Sequence, residues 1–140
     1  MSGLLGTRAS IVFDLNFLLQ IVILVILLVG VKFGRKKTPS SLKMHGNVMT
    51  IAVTLNALLI LLIMGPSFVV NFGAVLAEFS ETGFPLTLLH HSFGIIAEIF
   101  GVILVFKKFG NIRMWMRFTA TVWLVSLVLG IVFYVLHYAI

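Results

Sequence analysis

Long apolar runs separated by short polar segments make up most of the chain. Four of them, at about 10–33, 44–65, 86–107 and 113–139, are about 20 or more residues long and carry few charges. A helix of about 20 apolar residues spans the hydrocarbon core of a bilayer, whereas the strands of a membrane barrel would alternate polar and apolar residues. The sequence therefore predicts an all-α integral membrane four-helix bundle, with residues 1–140 as a single transmembrane domain.

The polar segments between these runs differ in charge. Nine of the ten basic residues lie around the first and third of the connections: Lys32, Arg35, Lys36, Lys37, Lys43, Lys107, Lys108, Arg113 and Arg117. The central connection carries Glu78 and Glu81 instead. Because basic loops stay in the cytoplasm, we expect both termini and the 66–85 segment on the outer side of a prokaryotic-type plasma membrane.

Composition narrows the chemistry. The chain is 61% hydrophobic and 10% charged, and it contains no cysteine. Thiolate metal sites, disulfides and covalently attached c-type haem are therefore excluded. The net charge of +6 does not indicate nucleic-acid binding, because the basic residues lie between apolar runs rather than on a globular surface.

Polar and small residues recur at helical spacing within the runs. Unpaired polar groups are costly in lipid, so we expect these residues to face one another inside the bundle. The third run has His91, Gly94, Glu98 and Gly101 on one face; the fourth has Thr119, Trp123, Ser126, Gly130, Phe133 and His137; the second has His45, Met49, Ala52 and Asn56. Each predicted helix thus carries one interior stripe.

Two histidines near the outer end of the bundle suggest a cofactor. Gly110-Asn111 predicts a tight turn, which makes the third and fourth helices antiparallel neighbours and brings His91 and His137 to the same side of the membrane. Two imidazoles on facing helices are the ligands of a b-type haem. Counted from the turn, His137 lies about 10 Å further out than His91, and His90 is the alternative ligand.

The surroundings of these histidines fit either of two interpretations. Gly94 and Gly130 leave room for a flat group, and Trp123 either stacks on a cofactor ring or packs in the core. In the other interpretation the histidines bond headgroups, loop carbonyls or Glu81.

Three further polar residues lie within or beside the runs. Glu98 falls near the bilayer centre, where a carboxyl group is neutral or paired, and Asn56 is its expected partner. The two residues are expected to form either a proton-relay or ion-binding site or only a hydrogen-bonded pair. His45 begins the second helix and either pairs with Met114 or Met116 in an inner site or is an ordinary interfacial histidine. Asp14 is expected to cap the first helix or to meet Arg8.

The second connection begins with a helix breaker. Gly65-Pro66 should kink or end the second helix, because proline removes a backbone donor and clashes with the preceding turn. The apolar stretch from Ser67 to Phe79 is expected to extend that helix or to lie in the outer interface.

Several short motifs suggest a family. Leu15-Asn16, Gly30, a basic loop, and then His45 and Met49 resemble a family of small four-helix membrane proteins of unassigned function, some of which accompany haem–copper oxidases as assembly factors. The later positions that agree are Leu88, His91, Trp123, Gly130 and Tyr134. The resemblance implies metal or haem handling near a respiratory complex, with His45 and His91 as the positions carried over.

The chain departs from that family at two positions. The family usually has one further histidine in the outer loop after the second helix, where this chain reads Gly65-Pro66-Ser67-Phe68. It has another at the start of the last helix, near Asn111 here. Either His90 and His137 replace them, or the cofactor content differs.

Three functions remain open from the sequence. The first is a haem-binding, b-type-cytochrome-like protein that transfers electrons, with quinol as a partner, or serves as a respiratory-complex subunit. The second is a non-catalytic assembly factor or accessory subunit of a membrane oxidase. The third is a small proton- or ion-coupled transporter built around Glu98. No nucleophile–base pair is evident, so we expect an electron-transfer or accessory protein rather than a stand-alone enzyme, working with other membrane subunits or as a homo-oligomer.

Overall fold

The computed structural model describes residues 3–82, 85–106 and 110–139, and for residues 78–82 it describes the backbone alone. Every regular element in these residues is helical. The elements are α1 Ile11–Lys36, α2 Pro39–Leu59, π1 Ile60–Met64, α3 Gly65–Val70, α4 Phe72–Thr82, α5 Leu86–Phe106, α6 Ile112–Tyr134 and π2 Val135–Ala139, where π1 and π2 are π-helical.

Four helical stretches are long and apolar enough to cross a membrane. They are α1, the continuous stretch Pro39–Val70, α5, and the continuous stretch Ile112–Ala139. Large apolar side chains point outwards along them; Leu28, Leu61 and Leu62, for example, are 60%, 70% and 72% exposed. Such a surface is suited to lipid rather than water, and the prediction of an all-α fold with four helices able to span a membrane is confirmed.

A two-residue connection turns α1 into α2. Lys37 has φ 55°, the left-handed conformation that ends a helix, and the Thr38 side chain accepts the Ser41 N–H. The Ser41 hydroxyl in turn accepts from the Thr38 N–H, which completes a capping box, and Pro39 occupies the first turn. These signals start the second span at residue 39, five residues before the predicted boundary at 44.

The connection between α5 and α6 follows the predicted turn. Asn111 is the N-cap of α6, and its side chain accepts the Met114 N–H at 3.3 Å. The two helices are antiparallel neighbours with the most extensive contact of any helix pair in the described residues.

The second span does not end at Pro66. The Gly65 N–H bonds the carbonyl of Ile60, five residues back, so the chain widens into π1 and then continues as α3. The wider turn accommodates Pro66, because proline cannot donate to the carbonyl four residues earlier and its ring would clash there. The predicted kink is therefore a π-helical segment, and the stretch after it forms α3 and then α4.

The spans form two hairpins. Hairpin one comprises α1 and α2, and hairpin two comprises α5 and α6; contacts within each hairpin far exceed those between them. The helix turns at Lys37 and Gly110 define what we call the basic end of the bundle. The opposite end, where α1 begins and α6 runs into π2, is the terminal end.

The predicted interior stripes face neighbouring helices. Ala52 on α2 is 1% exposed and packs with Ile23 and Leu59 in the core. A Cβ added to Gly101 on α5 would meet Val53 on α2 at 3.2 Å, and one added to Gly94 would meet the Ser126 hydroxyl on α6 at 3.1 Å. The helical phase read from the sequence is confirmed at these positions, whereas His137, at the end of the stripe of the fourth run, is exposed.

Some charged positions lie outside the described residues. They are Lys107, Lys108 and the side chains of Glu78 and Glu81.

Candidate functional site

A cavity of about 410 Å³ lies between the two hairpins, in the half of the bundle nearer the terminal end. All four spans contribute to its lining, and so does α4 through Ala74 and Val75. Most of the wall is apolar and aromatic. Its polar groups include Gln20, Asn56 and three imidazoles, a combination typical of a cofactor or ligand site.

His91 lies in the cavity wall on α5. Its Nδ1 bonds the carbonyl of Thr87 at 2.8 Å, one turn earlier on the same helix. The ring packs against Phe68 of α3, with centroids 4.6 Å apart. The extension of the second span beyond Pro66 therefore places an aromatic partner beside this histidine.

His90, the alternative ligand, is fixed between α5 and α6. Its Nδ1 bonds the Ser126 carbonyl at 2.8 Å, and the Ser126 hydroxyl donates to the His90 carbonyl at 2.8 Å. The ring lies over Gly130, where an added Cβ would approach the imidazole Cε1 to 2.6 Å. Gly130 thus makes room for His90, and the Ser126 hydroxyl lies at Gly94, so the space expected for a flat group at these glycines is filled by side chains.

His137 lies in π2, at the terminal end of the last span. Its Nδ1 bonds the Phe133 carbonyl at 3.0 Å, and its ring stacks on Phe133 at 4.2 Å. The residue is exposed and still lines the cavity. A π-helical turn holds more residues than an α-helical turn, which reduces the axial offset from His91 that straight counting along an α-helix indicates.

These three histidines share one hydrogen-bonding arrangement. A carbonyl oxygen only accepts, so each Nδ1 carries a proton, and in the neutral imidazole Nε2 then presents a lone pair. No Nε2 of the three has a hydrogen-bond partner among the described residues. A backbone carbonyl on Nδ1–H is the usual second contact of a metal-bound imidazole, because it fixes the tautomer and the ring orientation.

His45 lies apart from this cluster, toward the basic end. Its Nδ1 bonds the Gly30 carbonyl at 2.8 Å and its ring packs on Gly34, so it contacts α1. Met49 likewise packs on Gly30, with its Cε 2.5 Å from an added Cβ. Met114 is 50% exposed on α6. The structure therefore does not bring His45 into the site with the other histidines.

A chain of hydrogen bonds crosses the middle of the bundle. Gln20 donates to the Asn56 side-chain oxygen at 3.0 Å, and the Asn56 amide donates to Glu98 Oε2 at 2.8 Å. The expected pairing of Asn56 with Glu98 is present, and Gln20 is a third member that the sequence reasoning missed. Gln20 and Asn56 both line the cavity, whereas Glu98 lies behind them.

Asp14 is the centre of a second polar cluster, at the terminal end. Its fully buried carboxylate accepts from the Leu5 N–H and the Thr7 hydroxyl at 2.8 and 2.9 Å, and from the Tyr134 hydroxyl. The expected helix cap or contact with Arg8 is wrong, because Ser10 caps α1 and Asp14 instead ties hairpin one to hairpin two. Asp14 and Tyr134 lie at matching depths in their predicted helices, and this match is the sequence signal that could have predicted their contact.

Residues 3–10 fold over this cluster. The Arg8 N–H donates to the Tyr138 carbonyl at 2.9 Å, which satisfies one of the free carbonyls at the end of the last span. Phe17 stacks on Tyr134 with centroids 4.4 Å apart. The segment that carries His137 is therefore held in place by hairpin one and by the N-terminal residues.

Comparisons with protein-family models, with curated proteins and with solved structures find no match to this chain. The family resemblance seen in the sequence stays a prediction.

Proposed function

We propose that the protein binds haem b in the cavity between its hairpins and transfers electrons, either alone or as a subunit of a respiratory complex. One observation carries the proposal: three imidazoles line a single apolar cavity, each with Nδ1–H held by a backbone carbonyl and with no partner for Nε2 among the described residues. Neutral imidazoles with this orientation are the axial ligands of b-type haem.

The residues present fit the chemistry of this group. His91 and His137 come from different helices, as ligands on opposite faces of a macrocycle must, whereas His90 and His91 are adjacent on one helix. The His90 ring is packed against Gly130 between α5 and α6, which leaves His91 as the better ligand. Trp123, which lines the cavity, supplies an aromatic wall.

A haem suits this donor set better than a bare metal ion. Among the described residues, no three His, Asp, Glu or Cys side chains are grouped closely enough to hold a metal ion. A haem brings four nitrogen ligands of its own and needs at most two from the protein. When bound, it would supply one-electron redox chemistry, and the protein would orient it and exclude water.

The proposal includes a location and partners. The positive-inside rule favours the basic end in the cytoplasm, with the cavity in the outer half of a prokaryotic-type plasma membrane. A quinol is the expected electron donor, because it dissolves in the same bilayer. The outward apolar surface also allows contact with other membrane subunits or a second copy of the chain.

The colour of the purified protein tests the proposal. We expect a reduced-minus-oxidised difference spectrum with a b-type α-band in the detergent-solubilised full-length chain. His91→Ala and His137→Ala should abolish or shift this band, because each removes one axial nitrogen. His45→Ala is the matched control and should keep it, since His45 packs on α1 away from the cavity.

The remaining outcomes separate the other functions. A colourless wild-type protein that takes up no added haem would overturn the proposal. If its deletion then leaves a membrane oxidase unassembled, the chain is an accessory or assembly factor. If it instead carries ions across liposomes and Glu98→Gln stops the flux, it is a transporter.

A further inference from the structure

The mid-membrane carboxyl group is connected to the proposed redox cavity. Glu98 Oε2 accepts from Asn56 at 2.8 Å, and Asn56 accepts from Gln20 at 3.0 Å. The two amides form part of the cavity wall, so a single hydrogen bond, from Asn56 to Oε2, leads from the wall to the carboxyl group. These hydrogen bonds also link the two hairpins, since Gln20 is on α1, Asn56 on α2 and Glu98 on α5.

The carboxyl group has one oxygen available for a proton. Glu98 Oε1 is buried and has no hydrogen-bond partner among the described residues. A structural carboxylate in a low-dielectric interior would be expected to have both oxygens satisfied. An unpaired oxygen is instead the place where a proton can be added without breaking an existing bond.

No charged group balances Glu98 at its level. The facing stretches of the neighbouring helices, residues 52–60 of α2, 16–24 of α1 and 118–126 of α6, contain no titratable or charged side chain. On α5 itself the nearest are His91 and His90, about two turns away. A change of charge in the cavity therefore acts on Glu98 without a nearer ion to offset it.

We propose that Glu98 is a redox-linked protonation site, which takes up one proton when the cavity receives one electron and releases it on reoxidation. The inference rests on the proposed function. The added electron comes from a hydroquinone-class donor in the membrane or from a chemical reductant in the test. The positive charge of an oxidised haem in the cavity would keep Glu98 ionised. On reduction a proton from water converts the carboxylate to the carboxylic acid at Oε1, so that the cavity and Glu98 together gain no net charge. Asn56 and Gln20 are positioning residues, because they hold Oε2 and connect the carboxyl group to the cavity wall.

Redox titration of the haem-loaded, full-length protein over a range of pH tests this inference. Coupled uptake of one proton per electron makes the midpoint potential fall by up to about 59 mV per pH unit, the value of a tenfold change for a one-electron couple. Glu98→Gln should flatten this slope while leaving the α-band in place. His45→Ala is the control, because it removes a titratable side chain that packs on α1 away from the cavity and from the Gln20–Asn56–Glu98 hydrogen bonds, and it should keep the slope.

An infrared measurement keeps the test decisive if Glu98→Gln folds poorly. The reduced-minus-oxidised infrared spectrum of the wild-type protein should gain a carboxylic-acid C=O stretch that shifts in D₂O. Asn56→Leu should move this band, because it removes the hydrogen bond to Oε2.

The failures of the two proposals are distinguishable. A protein that binds no haem overturns the proposed function and this inference together. A haem-loaded protein with a pH-independent potential and no carboxyl band overturns the inference alone, and so does a slope that persists in Glu98→Gln.

Discussion

Replacing Gly130 by alanine tests how closely α5 and α6 pack around His90. The new methyl group would lie 2.6 Å from the imidazole Cε1 and 2.9 Å from Nδ1, well inside normal contact distance. The ring cannot simply turn away, because its Nδ1 is bonded to the Ser126 carbonyl on the same helix as Gly130. Either the helices separate or the imidazole leaves its position.

The expected magnitude follows from three effects. Overpacking a close interface costs about 1–3 kcal/mol. Losing the bond between His90 and Ser126 adds about 0.6 kcal/mol, the average for interhelical bonds in a membrane protein. Alanine in place of glycine within a helix returns about 0.5–1 kcal/mol. We therefore expect Gly130→Ala to lower the free energy of unfolding by about 2 kcal/mol.

Unfolding in mixed detergent micelles, followed by circular dichroism, measures this change. Gly46→Ala is the control, because nothing lies within 4 Å of its added Cβ, and it should be neutral or slightly stabilising. The double variant Gly130→Ala with His90→Ala should be more stable than the sum of the single changes, since the second removes the clash. Wild-type stability in Gly130→Ala, or additive effects in the double variant, would show that His90 does not occupy this space.

Three further outcomes follow from other parts of the fold. Thr38→Ala should lower the free energy of unfolding by about 1 kcal/mol, because it removes the N-cap of α2, and Thr38→Ser should restore it in the same assay. Asp14→Ala should speed tryptic cleavage after Arg8, because residues 3–10 lose their anchor; an unchanged rate would contradict the contacts described. The cysteine-free chain allows single-cysteine labelling in intact cells: a membrane-impermeant maleimide should react with Gly73→Cys and not with Ser40→Cys, and the reverse result would invert the proposed orientation.

The sequence was sufficient for the number of spans, their interior faces and the turn at Gly110-Asn111. Hydrophobicity and helical phase determine these features, and both are local. The start of α2 was missed because Ser40, Ser41 and Lys43 lowered the apolarity of that stretch, although the capping box there favours a helix. The π-helical segments were missed because each depends on a local change in the backbone hydrogen bonds of one turn. In π1 that change accommodates Pro66.

The site was predicted less completely than the fold. Glu98 and Asn56 were paired correctly because both lie at mid-depth on neighbouring helices. Asp14 and Tyr134 lie at opposite ends of the chain, so nothing local related them. The glycine at 130 showed that space was needed, but a small residue does not say whether a neighbouring side chain or a ligand takes that space; here it is His90.

The division into two closely packed hairpins has a consequence for biogenesis. Each pair of helices is joined by a short turn and satisfies its own backbone, so each can enter the bilayer as an independent unit while the chain is being synthesised. The pairs would then dock laterally through a small number of polar contacts, with the cleft between them open until they meet. The two proposed ligands, His91 and His137, both lie in hairpin two, so a prosthetic group would bind that hairpin first and be covered when hairpin one docks.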